Sequence, residues 1–388
     1  MFNPYAPSSD ERYEAMAAVR VAGGVVPTDA GYYIATVAGV EQGLKNVDKF
    51  VGSFMDVSQL PESDIVLAAI PEPRHGVIRR VVNTVVAGHR TAPAEPFIRG
   101  EAARLVEDAL DVAARDGSVD LVATLADPLP SAVIAHITGA PVADHDNFRI
   151  WSDELLEAQN TGASAPIRDF HPAFASYIQA MIDERRASDD PPDDLITRFL
   201  HTDVDGEYLS DRAIVTQTMF ILVAGNETTR NLISNCLYTL ATTPDFYARV
   251  RDDARVIPAL VEESLRFDSP VQVLARAVLA DTEISGCPMQ PGERVVFGIA
   301  SANRDESVHS CPAEFRLDRP KPRDHLAFGT GPHVCPGATL ARLEAVAMLE
   351  ALASRVAEVT LVADFEPEPN PVFWSNGHRR LRATLLPA

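Results

Sequence analysis

Positive charge and cysteine are both scarce in this chain of 388 residues. Its 34 Lys and Arg face 55 Asp and Glu, giving a formal charge of −21. So acidic a chain excludes non-specific attraction to nucleic-acid phosphates and a polybasic membrane anchor. The four cysteines, Cys236, Cys287, Cys311 and Cys335, form no Cys-x-x-Cys pair and no Cys/His cluster. That pattern argues against structural zinc and gives a disulfide framework no support, so a reducing cytoplasm is the expected compartment. There is no stretch of about 18 apolar residues and no basic segment leading into an apolar one at the N-terminus. Neither membrane insertion nor secretion is therefore expected. Repeats, low-complexity tracts and charged tails are also missing, and the Asp/Pro-rich stretch 188–194 reads as a solvated loop. One domain over 1–388 is the expectation.

What is present is ordinary globular material, 46% hydrophobic and 23% charged. Apolar residues recur at three- and four-residue intervals over 74–87, 97–115, 131–138, 147–158, 170–186, 210–241, 245–252, 256–267 and 337–355, which predicts helices there. The segment 210–241 far exceeds the mean of about 11–12 residues and is expected to cross the whole molecule. The β-forming run within 28–40 and the turn-punctuated stretch 281–299 predict short strands.

One cysteine stands apart. Phe328-Gly-Thr-Gly-Pro-His-Val-Cys335-Pro-Gly337 runs directly into the helix-forming Ala338-Thr-Leu-Ala-Arg-Leu-Glu-Ala345. Cys335 is thus expected at a helix start, with Pro336 at the first helical position and the positive end of the dipole favouring thiolate. Gly329 and Gly331 give the loop access to positive φ, which lets backbone N–H groups turn toward the sulfur. Gly337 removes a Cβ where a flat ligand could lie. These features alone leave a metal ligand, a redox centre and a nucleophile all open.

A second anomaly lies inside the long helix. Ala224-Gly-Asn-Glu227-Thr228-Thr229 interrupts the apolar run Met219-Phe-Ile-Leu-Val223 with polar groups, and buried polar groups need a reason. Thr228 can return a hydrogen bond to the Ala224 carbonyl, and Glu227 can pair with a distant base. Gly225 together with that back-bond could open a groove in the helix. Glu263 and Arg266, three residues apart, share a helical face and can pair.

The pattern Phe328-Gly-x-Gly-x-His-x-Cys335-x-Gly337, followed by Leu340-Ala-Arg342, resembles the haem-binding signature of bacterial cytochromes P-450. The segment from Ala224 to Thr229 is similar to that family's oxygen-activation motif, and Glu263-x-x-Arg266 to its Glu-x-x-Arg motif. The resemblance runs in order along nearly the whole chain. It implies a mainly α fold with a small β-region and haem b buried between the long central helix and the Cys-loop helix. It makes Cys335 the axial ligand of the iron, with a thiolate that pushes electron density toward O–O cleavage. It makes Glu227 and Thr228 proton donors in dioxygen activation, and places Ala224, Gly225, Phe328 and Gly337 at the cofactor. His75, Arg79, Arg276 and His333 match positions that contact haem propionates, where basic donors are needed to neutralise buried acids. Arg319 joins Glu263 and Arg266 as structural charges.

By the same resemblance, a hydrophobic substrate would meet Phe54, Met55, Ile65, Phe220, Val223, Leu274 and Trp374. The implied reaction is monooxygenation, with hydroxylation foremost. Electrons would come from NAD(P)H through a separate ferredoxin and its reductase, for which Arg79, Arg80, Lys321, Arg323 and Arg342 offer a basic docking face. A monomer is expected, without nucleic acid or membrane as partner. Two other readings stay open: a peroxide-driven or non-oxidative haem-thiolate enzyme, and a haem sensor without turnover.

Overall fold

The computed structural model describes residues 3, 10–29, 31–53, 60–87, 91–159, 165–204 and 206–388. Helices dominate: α1 (Asp10–Val21), α2 (Val37–Lys45), α3 (Arg74–Val86), α4 (Glu95–Asp116), α5 (Pro128–Thr138), α6 (His145–Gln159), α7 (Ile167–Phe170), α8 (Pro172–Ala187), α9 (Leu195–Leu200), α10 (Asp211–Thr242), α11 (Pro244–Asp252), α12 (Ile257–Phe267), α13 (Ile299–Ala302) and α14 (Ala338–Arg355). Every long helix anticipated from periodicity is present, with ends displaced by a few residues. The 28–40 run divides in two. Its strand stops at Ile34, and the Thr36 side chain then accepts from the Gly39 N–H and caps α2, so Val37 is helical.

The strands that position the site are β1 (Val25–Thr28), β2 (Gly31–Ile34), β3 (Phe50–Gly52), β4 (Val119–Asp120), β5 (Val273–Val278), β6 (Arg294–Gly298), β7 (Val356–Leu361) and β8 (Arg382–Pro387). Five form one sheet in the order β1-β2-β6-β5-β3, antiparallel except for the parallel β2–β6 pair, and its register sets Arg276 opposite Val295 and Gly52. A second sheet has the order β7-β8-β4.

Helix α10 is the axis of the molecule. Ser210 accepts from the Ala213 N–H at its start, and 32 residues give it a length of about 48 Å. It packs on α5, α6, α8, α12 and α14. Between Ala213 and Leu237 every residue is buried except Phe220, Ala224, Gly225 and Thr228. Phe220, Ala224 and Thr228 fall at i, i+4 and i+8, so a single stripe at mid-helix opens toward an interior space. The helix runs unbroken through that stripe. The expected groove at Gly225 is corrected accordingly: a Cβ there would meet Ile134 Cδ1 of α5 at 2.9 Å, so the glycine serves the close packing of two helices.

Candidate functional site

The cysteine loop is built by short backbone bonds. Gly329 N–H donates to Leu326 O (2.8 Å), Val334 N–H to Gly331 O (3.1 Å) and Cys335 N–H to Phe328 O (2.9 Å). Gly331 adopts φ +76°, and a Cβ on it would stand 2.7 Å from the Leu44 carbonyl, so the loop lies tight against the end of α2. Helix α14 begins at Ala338 with Gly337 as its cap, which moves Pro336 out of the first turn where the sequence had suggested it. Gly337 has the non-helical ψ of 5°, and its N–H is directed at the Cys335 sulfur.

Cys335 keeps accessible surface although protein encloses it, so its sulfur faces the interior. Burial pushes the thiol above the ordinary cysteine value, against the Gly337 amide and the charges of Arg79 and Arg342. Desolvation of the sulfur thus works against the thiolate that a helix start favours.

Beside the sulfur lies a group of bases. The His75 and His333 rings meet at 3.8 Å between centroids, tilted by 32°. His75 Nδ1 pairs with Glu72 at 2.7 Å, while its Nε2 is buried and has no hydrogen-bond partner. Burial, then His75 and Arg276, hold His333 down at about 4. Arg276 is buried on β5, donates Nη1 to the Ala275 carbonyl at 2.9 Å, and is lowered to about 10 by desolvation alone. Arg79 donates to Pro332 O at 3.2 Å. Among the described residues, Glu72 is the one carboxylate that touches these four bases. Two buried bases, His75 with an orphaned ring nitrogen and Arg276 with no carboxylate partner among the described residues, and the partly buried Arg79 and His333 beside them fit a ligand bearing two carboxylates beside the sulfur.

On α10, Thr228 Oγ1 donates to the Ala224 carbonyl at 3.0 Å. Glu227 is buried and fully engaged: Arg230 bonds one carboxylate oxygen, and Asn231 (3.0 Å) and Asn370 bond the other. Its partner base is one turn along the same helix, where the sequence reading had looked to a distant one. Burial still raises its pKa, against the pull of Arg230.

The ion pair on α12 is buried. Arg266 grips Glu263 through two bonds (2.7 and 2.9 Å), and Arg319 Nε lies 2.8 Å from the same carboxylate. Sequence reasoning missed the neighbouring Glu262, which gathers Arg342 (2.7 Å), His325 (2.9 Å) and Arg323 (3.0 Å). Arg342 also lies over the Phe328 ring at 4.5 Å and is half-buried, so it is not the free docking charge expected of it. Arg80, Lys321 and Arg323 are exposed. The signals for Glu72 and Arg230 were present as i,i+3 spacings, but only tertiary burial gives such pairs weight.

Of the apolar residues assigned to substrate, Phe54 and Met55 lie outside the described residues. Ile65, Phe220, Val223 and Trp374 join one apolar cluster. Leu274 belongs instead to the cluster under the five-stranded sheet, close to Gly329. A concavity of about 850 Å³ among α1, the end of α12 and the 369–378 turn is lined by none of the cysteine-loop residues.

A long buried helix with one open stripe, a cysteine in a glycine loop and a nest of bases with a single carboxylate among them together define a class: enzymes that hold a flat, doubly acidic cofactor over a sulfur ligand. Residues 10–355 match the sequence profile of the family described as Cytochrome P450, and the chain belongs to that family. It is a cytochrome P450 monooxygenase of bacterial type, a family that uses haem and dioxygen. It is 38% identical over 324 residues to a steroid C26-monooxygenase of Mycobacterium tuberculosis, covering 82% of this chain and 85% of the relative. It resembles the structure of an erythromycin B complex of P450 EryK, a protein of S. erythraea, with TM-score 0.87, 31% identity and 98% of both chains covered. It also resembles the testosterone complex of CYP109E1 from Bacillus megaterium, with TM-score 0.82, 32% identity, and 96% of this chain and 98% of that one covered. No helix among the described residues is long and apolar enough to cross a membrane.

Proposed function

We propose that the chain hydroxylates a bulky, largely apolar molecule of steroid or macrolide size, using electrons that pass from NAD(P)H through a separate ferredoxin and reductase. The observation that carries this reading is the grouping of Cys335 with four bases that meet a single carboxylate, Glu72, among the described residues. Cys335 would ligate the iron of haem b. His75, Arg79, Arg276 and His333 would take the two propionates, with His75 Nε2 as the donor that has no partner and the Arg276 guanidinium as a cation that meets no carboxylate among the described residues. Bound there, the haem supplies reduction and cleavage of dioxygen with transfer of one oxygen atom to carbon.

The remaining work falls to the chain. The Gly337 N–H moderates the charge on the sulfur, and Phe328 under Arg342 closes the proximal side. On α10, the small side chain of Ala224 leaves room within the open stripe, and Phe220, Val223, Ile65 and Trp374 present an apolar wall that excludes water and orients substrate by shape. Thr228 Oγ1, held by the Ala224 carbonyl, passes a proton on, and Glu227 restores it. Support for the substrate class comes from the relatives, one named for a steroid and two seen with erythromycin B or testosterone.

The test is spectroscopic first. Reduced holoenzyme with carbon monoxide should show the absorption band that gives the family its name, and Cys335→Ala should abolish it. Folded protein that binds no haem would defeat the reading. Steroids and macrolides should then shift the absorption spectrum of the ferric holoenzyme on binding. Reconstitution with ferredoxin, reductase and NAD(P)H should yield hydroxylated product.

A further inference from the structure

We propose that Asp127 and Asp153 complete a proton-holding cluster behind Thr228, with Asp153 as its mouth to solvent; the inference rests on the reading of Glu227 as the proton source for Thr228. The cluster is assembled from three elements by one guanidinium. Arg230 Nη1 donates to Asp127 Oδ1 at 3.1 Å and to Asp153 Oδ1 at 2.9 Å, and Nη2 donates to Glu227 Oε2. Asp127 precedes α5, Asp153 lies on α6, and Glu227 and Arg230 are on α10.

Three carboxylates thus share one cation. Their side chains grade inward, from 37% exposed at Asp153 to 13% at Asp127 and 2% at Glu227. With all three ionised the group would carry a net charge of −2, one negative charge of it uncompensated between the two buried carboxylates and Arg230, which is costly enough that such a group binds a proton instead. The other groups facing it do not repair the balance. Arg149 of α6 acts on Asp127 through space, but Asp146 stands 3.8 Å from that guanidinium. Asn231 and Asn370 meet Glu227 as neutral donors. Burial accordingly raises both Asp127 and Glu227, while the surrounding acids hold Arg230 firmly charged.

Arg230 therefore aligns the acids rather than passing protons itself. A proton taken from solvent by Asp153 moves to the buried carboxyls, and Glu227 gives one to Thr228 Oγ1 as Thr228 passes its own to the dioxygen that the reaction reduces. The net movement is one proton inward, with no electron transferred inside the cluster. Asp127 and Asp153 are positioning residues, since neither meets substrate or cofactor.

Infrared spectra of the ferric holoenzyme test this apart from turnover. At neutral pH the wild type should show the C=O stretch of a protonated carboxylic acid that shifts in D2O. Asp127→Asn should remove the band or move its titration midpoint by at least one pH unit. Asp153→Asn, partly exposed and tolerant of change, should keep the band but slow its hydrogen exchange at least tenfold. The same variant should lower product formed per NAD(P)H about threefold or more, with the pH profile displaced and the carbon-monoxide spectrum unchanged. The fully buried Glu344 is expected to give a protonated-carboxyl band of its own that neither variant moves, and the lack of any further band that answers to Asp127→Asn or Asp153→Asn overturns the cluster. A band that answers to both, in a protein whose Thr228→Ala variant keeps full product yield, upholds the cluster and overturns the donor reading beneath it.

Discussion

Arg276 is the residue whose surroundings say most about what should lie beside it. Its guanidinium is 6% exposed, its charge is opposed by burial, and it meets no carboxylate among the described residues. A charged hydrogen bond in such a place is worth about 1.5–3 kcal/mol. Arg276→Met should therefore leave the fold intact and release haem roughly ten- to a hundredfold faster, as measured by transfer to an acceptor apoprotein. Equal rates in the two proteins would remove Arg276 from the propionate site. At Thr228, substitution by Ala should preserve the carbon-monoxide band and divert electrons to peroxide, read as a fall in product per NAD(P)H; unchanged yield would show that the hydroxyl moves no essential proton. Cys335, His75 and Thr228 were legible because their motifs are local and dense. Glu72, Arg230 and Asn370 were not, because a pair spaced i,i+3 and an asparagine 143 residues away acquire meaning only when burial makes an unpaired carboxylate expensive.

At the scale of elements, α10 carries the tension between helix propensity and packing. Gly225 weakens the helix by about 1 kcal/mol relative to Ala, yet an added Cβ would press on Ile134 at 2.9 and 3.1 Å, and overpacking costs about 1–3 kcal/mol. The contact is with the end of a side chain that can shift, so Gly225→Ala should cost about 1 kcal/mol net in denaturant unfolding. In an Ile134→Val background, which removes the Cδ1, the same change should become neutral or stabilising. Destabilisation of equal size in both backgrounds would mean that the glycine answers to something other than α5. The amphipathic helices were readable because their period is written along many residues. The short ones were not: α2 rests on a Thr36 cap, and α9 on Asp194 accepting from the Thr197 N–H at 2.9 Å, signals that occur at many turns. Pro336 misled for a related reason, since its fitness for a first turn gave no hint that Gly337 would spend its amide on the sulfur.

For the whole molecule, pH acts through two opposed electrostatic effects. The formal charge of −21 means self-repulsion that acidification at first relieves. The Glu262 cluster acts the other way. It ties α12 to the segment before the cysteine loop through His325 and to α14 through Arg342, clamping that loop at both ends. Burial pushes the Glu262 carboxyl up, but His325 and Arg342 overcome it and hold it at about 2. A carboxylate depressed in the folded state stabilises fully above its unfolded value, and its contribution vanishes as the pH falls through the folded one. The stabilisation, about 3 kcal/mol at neutral pH by linkage, should therefore be lost between about pH 4.5 and pH 2. Glu262→Gln isolates this local effect, because it changes the total charge by only one. The variant should unfold about 2–3 kcal/mol more easily than wild type at pH 7, and the gap should close steadily as the pH approaches 2 in parallel denaturant titrations. A gap that stays constant over that range would place the stability of the loop in packing rather than in the charge of Glu262.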